Sequence, residues 1–439
     1  MNWLERRFRL ADAGTTVRRE VLGGATTYLA MAYILFVNPS LLADAGMDRD
    51  AVFVATALAS AIAMVVMAFG ANYPVALAPG MGLNAYFAYV ICGSLGFSWQ
   101  EGLGATLVAG IVFLALALVG FREKILHALP RSLQMGIAGG IGLFLFHLGL
   151  QWSGLVVDHP VTLVAFGSLH EPRTLLALGG LLIAVVLTVC RVPGSLILAI
   201  LGTVAAALLF RVVETPTPLF QAPHLGALSK TAFALEIPNP LAKPDFLTVV
   251  VILLFVDLFD TVGTLVAVGH RAGLMQGDRL PRAERAFAAD AVGTSVGALL
   301  GTSTVTSYIE SAAGVQQGAR TGLATLCTAA LFVASLLLQP FLGLIGSEKF
   351  IVGPALVMVG LFMMRTLREI SWDDVTEAIP AGLAIAMPFF FSITEGVALA
   401  CIAYPVCKAA AGRFRDVPWT LRVVALAFLL RYALLTKPT

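Results

Sequence analysis

Charged side chains are scarce in this chain. Asp, Glu, Lys and Arg make up 12% of its 439 residues, about half the share of a typical soluble domain. That scarcity excludes an ordinary water-soluble globule. Neither sign dominates, with 28 Lys and Arg against 26 Asp and Glu, so no broad basic surface is offered to nucleic acid. Cysteine is sparse as well: the five residues Cys92, Cys190, Cys327, Cys401 and Cys407 fall in separate apolar stretches. None forms a CxxC pair, which argues against a disulfide framework and a cysteine metal site. No GxxxxGK[ST] run occurs, so nothing points to an ATP-driven pump. No nucleophile–base pairing or metal-ligand spacing argues for an enzyme, a metal or an organic cofactor. The first 20 residues are polar and Arg-rich and lack the apolar core of a secretory signal.

Apolar sequence is what the chain has in abundance. Hydrophobic residues account for 59% of it, and the mean hydropathy is +0.90. Several runs reach the roughly 20 residues a helix needs to cross the hydrocarbon core. The pattern predicts an all-α polytopic membrane protein of 14 transmembrane segments. In the first half these lie near 20–38, 51–70, 78–95, 102–120, 134–151, 173–190 and 194–211. In the second they lie near 246–268, 284–300, 302–317, 321–344, 350–366, 375–391 and 394–410. A further apolar stretch at 419–435 carries Arg422 and Arg431 and reads as an interfacial helix, with a fifteenth span as the alternative.

The distribution of basic residues orients this series. The N-terminal tail carries Arg6, Arg7, Arg9, Arg18 and Arg19. Basic loops follow even-numbered segments: Arg122, Lys124 and Arg131 after the fourth, then Arg271, Arg279, Arg282 and Arg285 after the eighth. Arg320, Arg365 with Arg368, and Lys408 with Arg413 and Arg415 continue the pattern. The opposite loop 151–172 has neither Lys nor Arg. Both termini are therefore expected in the cytoplasm, with the chain in the plasma (inner) membrane.

The halves echo each other. Gly142-Leu143-Phe144-Leu145 in segment five answers Gly360-Leu361-Phe362-Met363 in segment twelve. Seven segments per half put the second copy in the membrane upside down, an inverted repeat of the kind common in secondary transporters. The expected division is residues 1–212 for the first repeat, 213–245 for an external connection, 246–411 for the second repeat and 412–439 for a cytoplasmic or interfacial C-terminal helix.

Within segment eight, FLTVVVILLFVDLFDTVGTLVAV (246–268), sit Asp257 and Asp260. A carboxylate at the bilayer centre carries a penalty of about 2.5–3.5 kcal/mol on insertion scales, so such residues are retained for function. Three positions apart, they are expected on one helix face directed into protein or a polar cavity. Segments three and ten, at matching places in the halves, are both interrupted. Segment three opens with Pro74, Pro79, Gly80 and Gly82 before Asn84, which no regular helix sustains. Segment ten opens with the hydroxyl-rich, β-branched run Thr302–Ser307, suited to an extended strand, and leads to Glu310 and Ser311. Irregular backbone at membrane depth is tolerated where it lines a cavity, and a matched pair of broken segments marks a central binding site. Two extended pieces meeting there would present backbone donors, with Asp257 and Glu310 as acceptors, to a small planar ligand.

The stretches NPSLLADAGM (38–47), NYPVALAPGMGLNAYFAYV (72–90), FVDLFDTVGTL (255–265) and TSYIESAAGV (306–315) resemble the azaguanine-resistance-type purine permeases, a branch of the nucleobase:cation symporters. The resemblance runs through nearly the whole chain. It implies seven-plus-seven segments divided into a core (segments 1–4 and 8–11) and a gate (5–7 and 12–14), and uptake of adenine, guanine or hypoxanthine with a proton. It places substrate-binding roles on Asn84, Asp257 and Glu310, and a role in translocation on Asp260. Glu310-Ser311, where uracil and xanthine relatives carry Glu-Asn, points to the purine branch. Relatives suggest a homodimer through the gate.

Gly82, Thr306, Ser311 and Asp290 are expected in support, Asp290 on segment nine by holding the core together. Tyr28, Tyr33, Tyr86 and Phe87 could stack on a purine ring, with aromatic packing as the default. Carboxylates crowded in a poorly solvated site are suited to take up a proton, which makes Asp257, Asp260 and Glu310 the candidates for coupling in an elevator-like or rocking cycle. The glycines of segments five and twelve would suit a surface along which the core slides. The alternatives are a uracil or xanthine permease, or an anion transporter or channel on the same repeat. Three central acids speak against anions.

Overall fold

The computed structural model describes residues 3–119, 129–214, 224–239, 243, 245–276, 280–339, 345, 348–389 and 393–435. The topology signals Arg122, Lys124 and Arg279, parts of the 213–245 connection, and the far ends of segments eleven and thirteen lie outside them. By contact, residues 1–119 with 148–358 form one compact unit and residues 120–147 with 359–439 a second.

In the first unit, a short helix Trp3–Phe8 precedes α1 (Val17–Met31) and α2 (Ile34–Asp44). Segment one is therefore longer than the sequence indicates and is interrupted at Ala32–Tyr33. There the hydrogen-bond ladder tightens, with Leu35 N donating to Ala32 O and Phe36 N to Tyr33 O, each at 3.1 Å. Then come α3 (Arg49–Gly70), β1 (Leu77–Pro79), α4 (Met81–Ala85) and α5 (Trp99–Leu118). Asp48 caps α3, and Ser98 with Glu101 forms a capping box on α5, each satisfying amides that the helix leaves orphaned. α4 passes into a π-helical stretch, Tyr86–Ser94.

Helix α6 (Arg131–Trp152) leads to a hairpin of β2 (Val156–His159) and β3 (Leu163–Phe166). This hairpin was not apparent from sequence, where 151–172 reads only as a loop. Its signal is the β-branched runs either side of His159-Pro160. Next are α7 (Pro172–Val189), α8 (Ser195–Leu209), α9 (Asp245–Ala272), α10 (Ala283–Leu300), β4 (Val305–Ser307), α11 (Ser311–Gln316), α12 (Gly322–Ala334) and α13 (Lys349–Met363). The second half ends with α14 (Val375–Phe389), α15 (Ile393–Ala410) and α16 (Trp419–Leu435). Each of the fourteen expected segments contains helical chain, in segments three and ten only after a short strand. Among the described residues seven helices are long and apolar enough to cross a membrane by length and composition.

Helix α10 packs on α3 and α5, α12 packs on α1 and α3, and α9 packs on α5. Small residues set these distances: a Cβ on Gly23 would lie 2.7 Å from Ala319 Cβ, and one on Gly322 would lie 2.7 Å from Ala68 Cα. Glu20 of α1, fully buried, accepts from Arg320 N (2.8 Å), Thr321 N (3.2 Å), Thr321 Oγ1 (2.9 Å) and Ala324 N (3.1 Å). It thereby caps α12 from another segment and supplies the acceptor that its first amides lack.

In the second unit, the two echoing glycines meet. A Cβ on Gly142 would lie 2.9 Å from Gly360 O, and one on Gly360 2.6 Å from Gly142 O. These two glycines are used for close packing of α6 against α13. Helices α14 and α15 pair closely, and α16 lies against α15. Lys408, 1% exposed, pairs with Glu377 at 2.7 Å and lies 3.6 Å from Asp374. Arg413 holds Asp374 at 2.8 Å, and Tyr404 donates to Glu377 at 2.6 Å.

Candidate substrate site

The two interrupted segments meet as expected. β1 and β4 pair antiparallel, with Leu77 opposite Ser307, Ala78 opposite Thr306 and Pro79 opposite Val305. They come from matching places in the halves, and antiparallel pairing is the relation expected of copies that run in opposite directions. Tyr308 N donates to Ala76 O and Gly80 N to Thr304 O, each at 2.9 Å, extending the ribbon at both ends. The proline amides at positions 74 and 79 have no hydrogen to donate, so a two-stranded ribbon with few bonds is what this sequence can form. Gly80 permits the close approach: a Cβ there would lie 2.8 Å from Thr306 Cγ2. After the strands the chain turns helical. α11 lasts only six residues, and the π stretch after α4 lies where a regular half-helix was expected.

Around this ribbon the structure gathers the sequence-derived residues. Asn84, fully buried, accepts from the Ser303 hydroxyl through Oδ1. Asp257, 2% exposed, accepts from Thr294 Oγ1 at 3.1 Å through Oδ2. The same Thr294 hydroxyl lies 3.0 Å from Val305 O, so it ties α9, α10 and β4 together. The Thr261 and Thr306 hydroxyls are 2.9 Å apart. Asp290, fully buried, accepts from Ser307 Oγ at 2.9 Å. The Ser311 hydroxyl accepts from Ala76 N at 3.0 Å, and Gly82 is buried in the first turn of α4. Glu310, half-buried, accepts from Tyr33 Oη at 2.9 Å.

Asp257 and Asp260 lie on one helix face but differ in exposure: Asp257 is sealed, whereas Asp260 is exposed. Three residues advance a helix by about 300°, which leaves the two side chains about 60° apart. That angle turns Asp257 toward Thr294 of α10 and leaves Asp260 at the edge. Ile309, beside Glu310, is also exposed. The sealed members are thus Asn84, Asp257 and Asp290, and the open ones are Asp260 and Glu310.

Several participants were not singled out from sequence. Thr294 carries no motif, although it stands one helical turn from Asp290 and so shares its face. Tyr308 donates to Pro79 O at 2.5 Å and ties segment ten to the break in segment three. Tyr33, expected as a packing or stacking ring, is buried and uses its hydroxyl. The Tyr28 hydroxyl lies 2.6 Å from Ser335 Oγ, and Tyr86 and Phe87 are buried.

Four polar atoms at the site are buried without a hydrogen-bond partner: Asn84 Nδ2, Asp257 Oδ1, Asp290 Oδ2 and Thr304 Oγ1. Unmatched buried polar groups carry a penalty of about 1–3 kcal/mol each, and in native proteins they point to a ligand, a proton or a water. Among the described residues no Lys or Arg forms an ion pair with Asp257, Asp260, Asp290 or Glu310. An amide donor and carboxylate acceptors without counter-cations suit a neutral ligand that both donates and accepts hydrogen bonds. They do not suit an anion.

The Permease family model matches residues 18–428. The guanine/hypoxanthine permease PbuG of Bacillus subtilis is 41% identical over 439 residues, covering 98% of this chain and 99% of that protein. The adenine permease AdeP of Escherichia coli is 38% identical over 437 residues, covering 98% of this chain and 95% of that protein. Among solved structures, the transmembrane domain of the cyanobacterial bicarbonate transporter BicA superposes with a TM-score of 0.59 at 16% identity, covering 88% of this chain and 97% of that one. The murine anion transporter Slc26a9, solved in the inward-facing state, gives a TM-score of 0.64 at 11% identity, covering 90% of this chain and 68% of that one. These likenesses establish the fold, an all-α membrane architecture of inverted repeats with short strands. Sequence, fold and full-length relatives agree: the chain belongs to the Permease family and is a multi-pass membrane transporter.

Proposed function

We propose that this transporter imports purine nucleobases (adenine, guanine or hypoxanthine) together with a proton. The observation that carries the proposal is the pair of sealed, unpartnered atoms beside the β1–β4 ribbon, the donor Asn84 Nδ2 and the acceptor Asp257 Oδ1. A planar heterocycle with ring nitrogens and an exocyclic amino or keto group matches such a set without bringing a charge. Full-length relatives named as guanine/hypoxanthine and adenine permeases support the same class. In this reading Asn84, Asp257 and Glu310 bind the base, while Asp260, exposed at the edge, serves proton coupling. Segments 1–4 and 8–11 form the core that carries the site past a gate of segments 5–7 and 12–14. Both termini are cytoplasmic, and an inside-negative potential then assists proton-coupled import by about 2.3 kcal/mol per charge per 100 mV.

An anion transporter is the reading suggested by the structural neighbours alone. The central acids, with which no Lys or Arg among the described residues forms an ion pair, count against it. A uracil or xanthine permease is disfavoured by Ser311 after Glu310. Uptake of labelled adenine, guanine and hypoxanthine into vesicles, at two external pH values and with an uncoupler, tests the proposal. Accumulation that rises at acid external pH and collapses with the uncoupler is expected. Equilibration that ignores both removes proton symport, and absence of purine uptake or competition removes the substrate class.

A further inference from the structure

We propose that Tyr33 is a positioning residue for the substrate: its hydroxyl orients the Glu310 carboxylate so that one oxygen is held and the other is presented to the base. The proposal rests on the reading of Glu310 as a substrate ligand given above, and it adds a residue from segment one to that site.

The geometry is specific. Tyr33 lies at the interruption between α1 and α2, where the tightened ladder Ala32 O–Leu35 N and Tyr33 O–Phe36 N departs from regular α-helix. Its ring is 1% exposed, and its hydroxyl donates to Glu310 Oε1 at 2.9 Å. Among the described residues it is the one side-chain donor that Glu310 has, and no cation pairs with that carboxylate. If Tyr33 served packing alone, Phe would fill the same buried space without a hydroxyl that needs a partner.

The backbone around Glu310 is already fixed. Tyr308 ties to Pro79 O at 2.5 Å, and Ser311 Oγ accepts from Ala76 N at 3.0 Å. What remains free is the Glu310 side chain, a long one whose rotamer freedom must be lost when it grips a ligand. Tyr33 removes part of that freedom before the base arrives. Pre-organisation of this kind raises affinity by lowering the ordering penalty on binding.

A double-mutant cycle on the full-length protein in detergent tests the role. Equilibrium binding of tritiated guanine, hypoxanthine and adenine is measured for wild type, Tyr33→Phe, Glu310→Met and the pair. Tyr33→Phe keeps the buried ring, and a monodisperse elution profile with a wild-type melting midpoint checks that it folds. Expected is about a fivefold loss of affinity in Tyr33→Phe, the scale of one net hydrogen bond. In the Glu310→Met background, where no side-chain oxygen remains to accept from Tyr33, the same change is expected to alter affinity less than twofold. Transport should show a raised KM with the maximal rate retained. Wild-type affinity in Tyr33→Phe, or an equal loss in both backgrounds, overturns the positioning role while leaving the purine site standing. Wild-type purine affinity in Glu310→Met instead removes the substrate reading of Glu310, and the role of Tyr33 falls with it.

Discussion

Replacing Asp257 by Asn separates a binding role from a structural one. The carboxylate is 2% exposed, one oxygen accepts from Thr294 at 3.1 Å, and the other has no partner. Asn has the same shape, and its amide oxygen can still accept from Thr294. The change therefore leaves the α9–α10–β4 tie in place and converts the unpartnered acceptor into a donor. No Lys or Arg among the described residues balances Asp257, so no counter-charge is stranded by the substitution, the usual cause of large losses on breaking a buried pair. Stability should stay within about 1 kcal/mol of wild type, the ordinary range for a shape-preserving change. Binding should behave differently. A hydrogen bond to a charged group contributes about 1.5–3 kcal/mol, and each 1.4 kcal/mol is tenfold in Kd, so purine affinity should fall roughly 10- to 150-fold. The assay pairs equilibrium binding of labelled purine with thermal unfolding of the same purified sample. As a contrast, Thr294→Val leaves Asp257 and Val305 O without their shared donor and should lower stability by about 1–3 kcal/mol. Asp257→Asn protein that unfolds early but binds normally once folded would refute the reasoning, because the carboxylate would then be a structural strut.

Three further outcomes are expected. Asp260→Asn, at the exposed edge of the site, should keep purine affinity within about threefold while uptake falls tenfold or more, which paired binding and vesicle uptake would show; an equal loss in both would make Asp260 a ligand instead. Gly80→Ala drives a Cβ to 2.8 Å from Thr306 Cγ2, and the strain of overpacking should lower stability by about 1–3 kcal/mol, read as a lower melting midpoint together with weaker binding. Lys408→Met, in the second unit, leaves Glu377 and Asp374 without the buried ammonium. The loss should be about 1–3 kcal/mol, short of the 3–5 kcal/mol of a fully sealed pair, because Tyr404 still donates to Glu377 and Arg413 still holds Asp374; purine affinity should be unchanged.

Much of the site was legible before any coordinates. Prolines and glycines at 74–82 and the hydroxyl run at 302–307 are local chemistry, and they do yield a strand pair with Pro79 opposite Val305. Asp257, Asp290 and Glu310 stood out because acids are rare in apolar sequence. Less visible were the hydroxyl donors. Thr294 and Tyr308 are unremarkable in composition, and their importance comes from carbonyl and carboxylate partners supplied by other segments. The break at Tyr33 escaped notice because the hydropathy of segment one runs through it without a dip.

Composition and periodicity alone determined that this chain lives in a membrane, that it has fourteen segments, and that segments three and ten cannot be continuous helices. Those conclusions follow from backbone hydrogen-bonding needs and apolar transfer, both properties of short stretches of chain. Only the tertiary structure decided which acids are sealed and which are open, since that depends on contacts such as Asp257 with Thr294, 37 positions apart, and Glu310 with Tyr33, 277 positions apart. It also decided that the echoing glycines at 142 and 360 face each other. A side chain's burial is set by whatever packs against it, and local sequence carries no record of that neighbour.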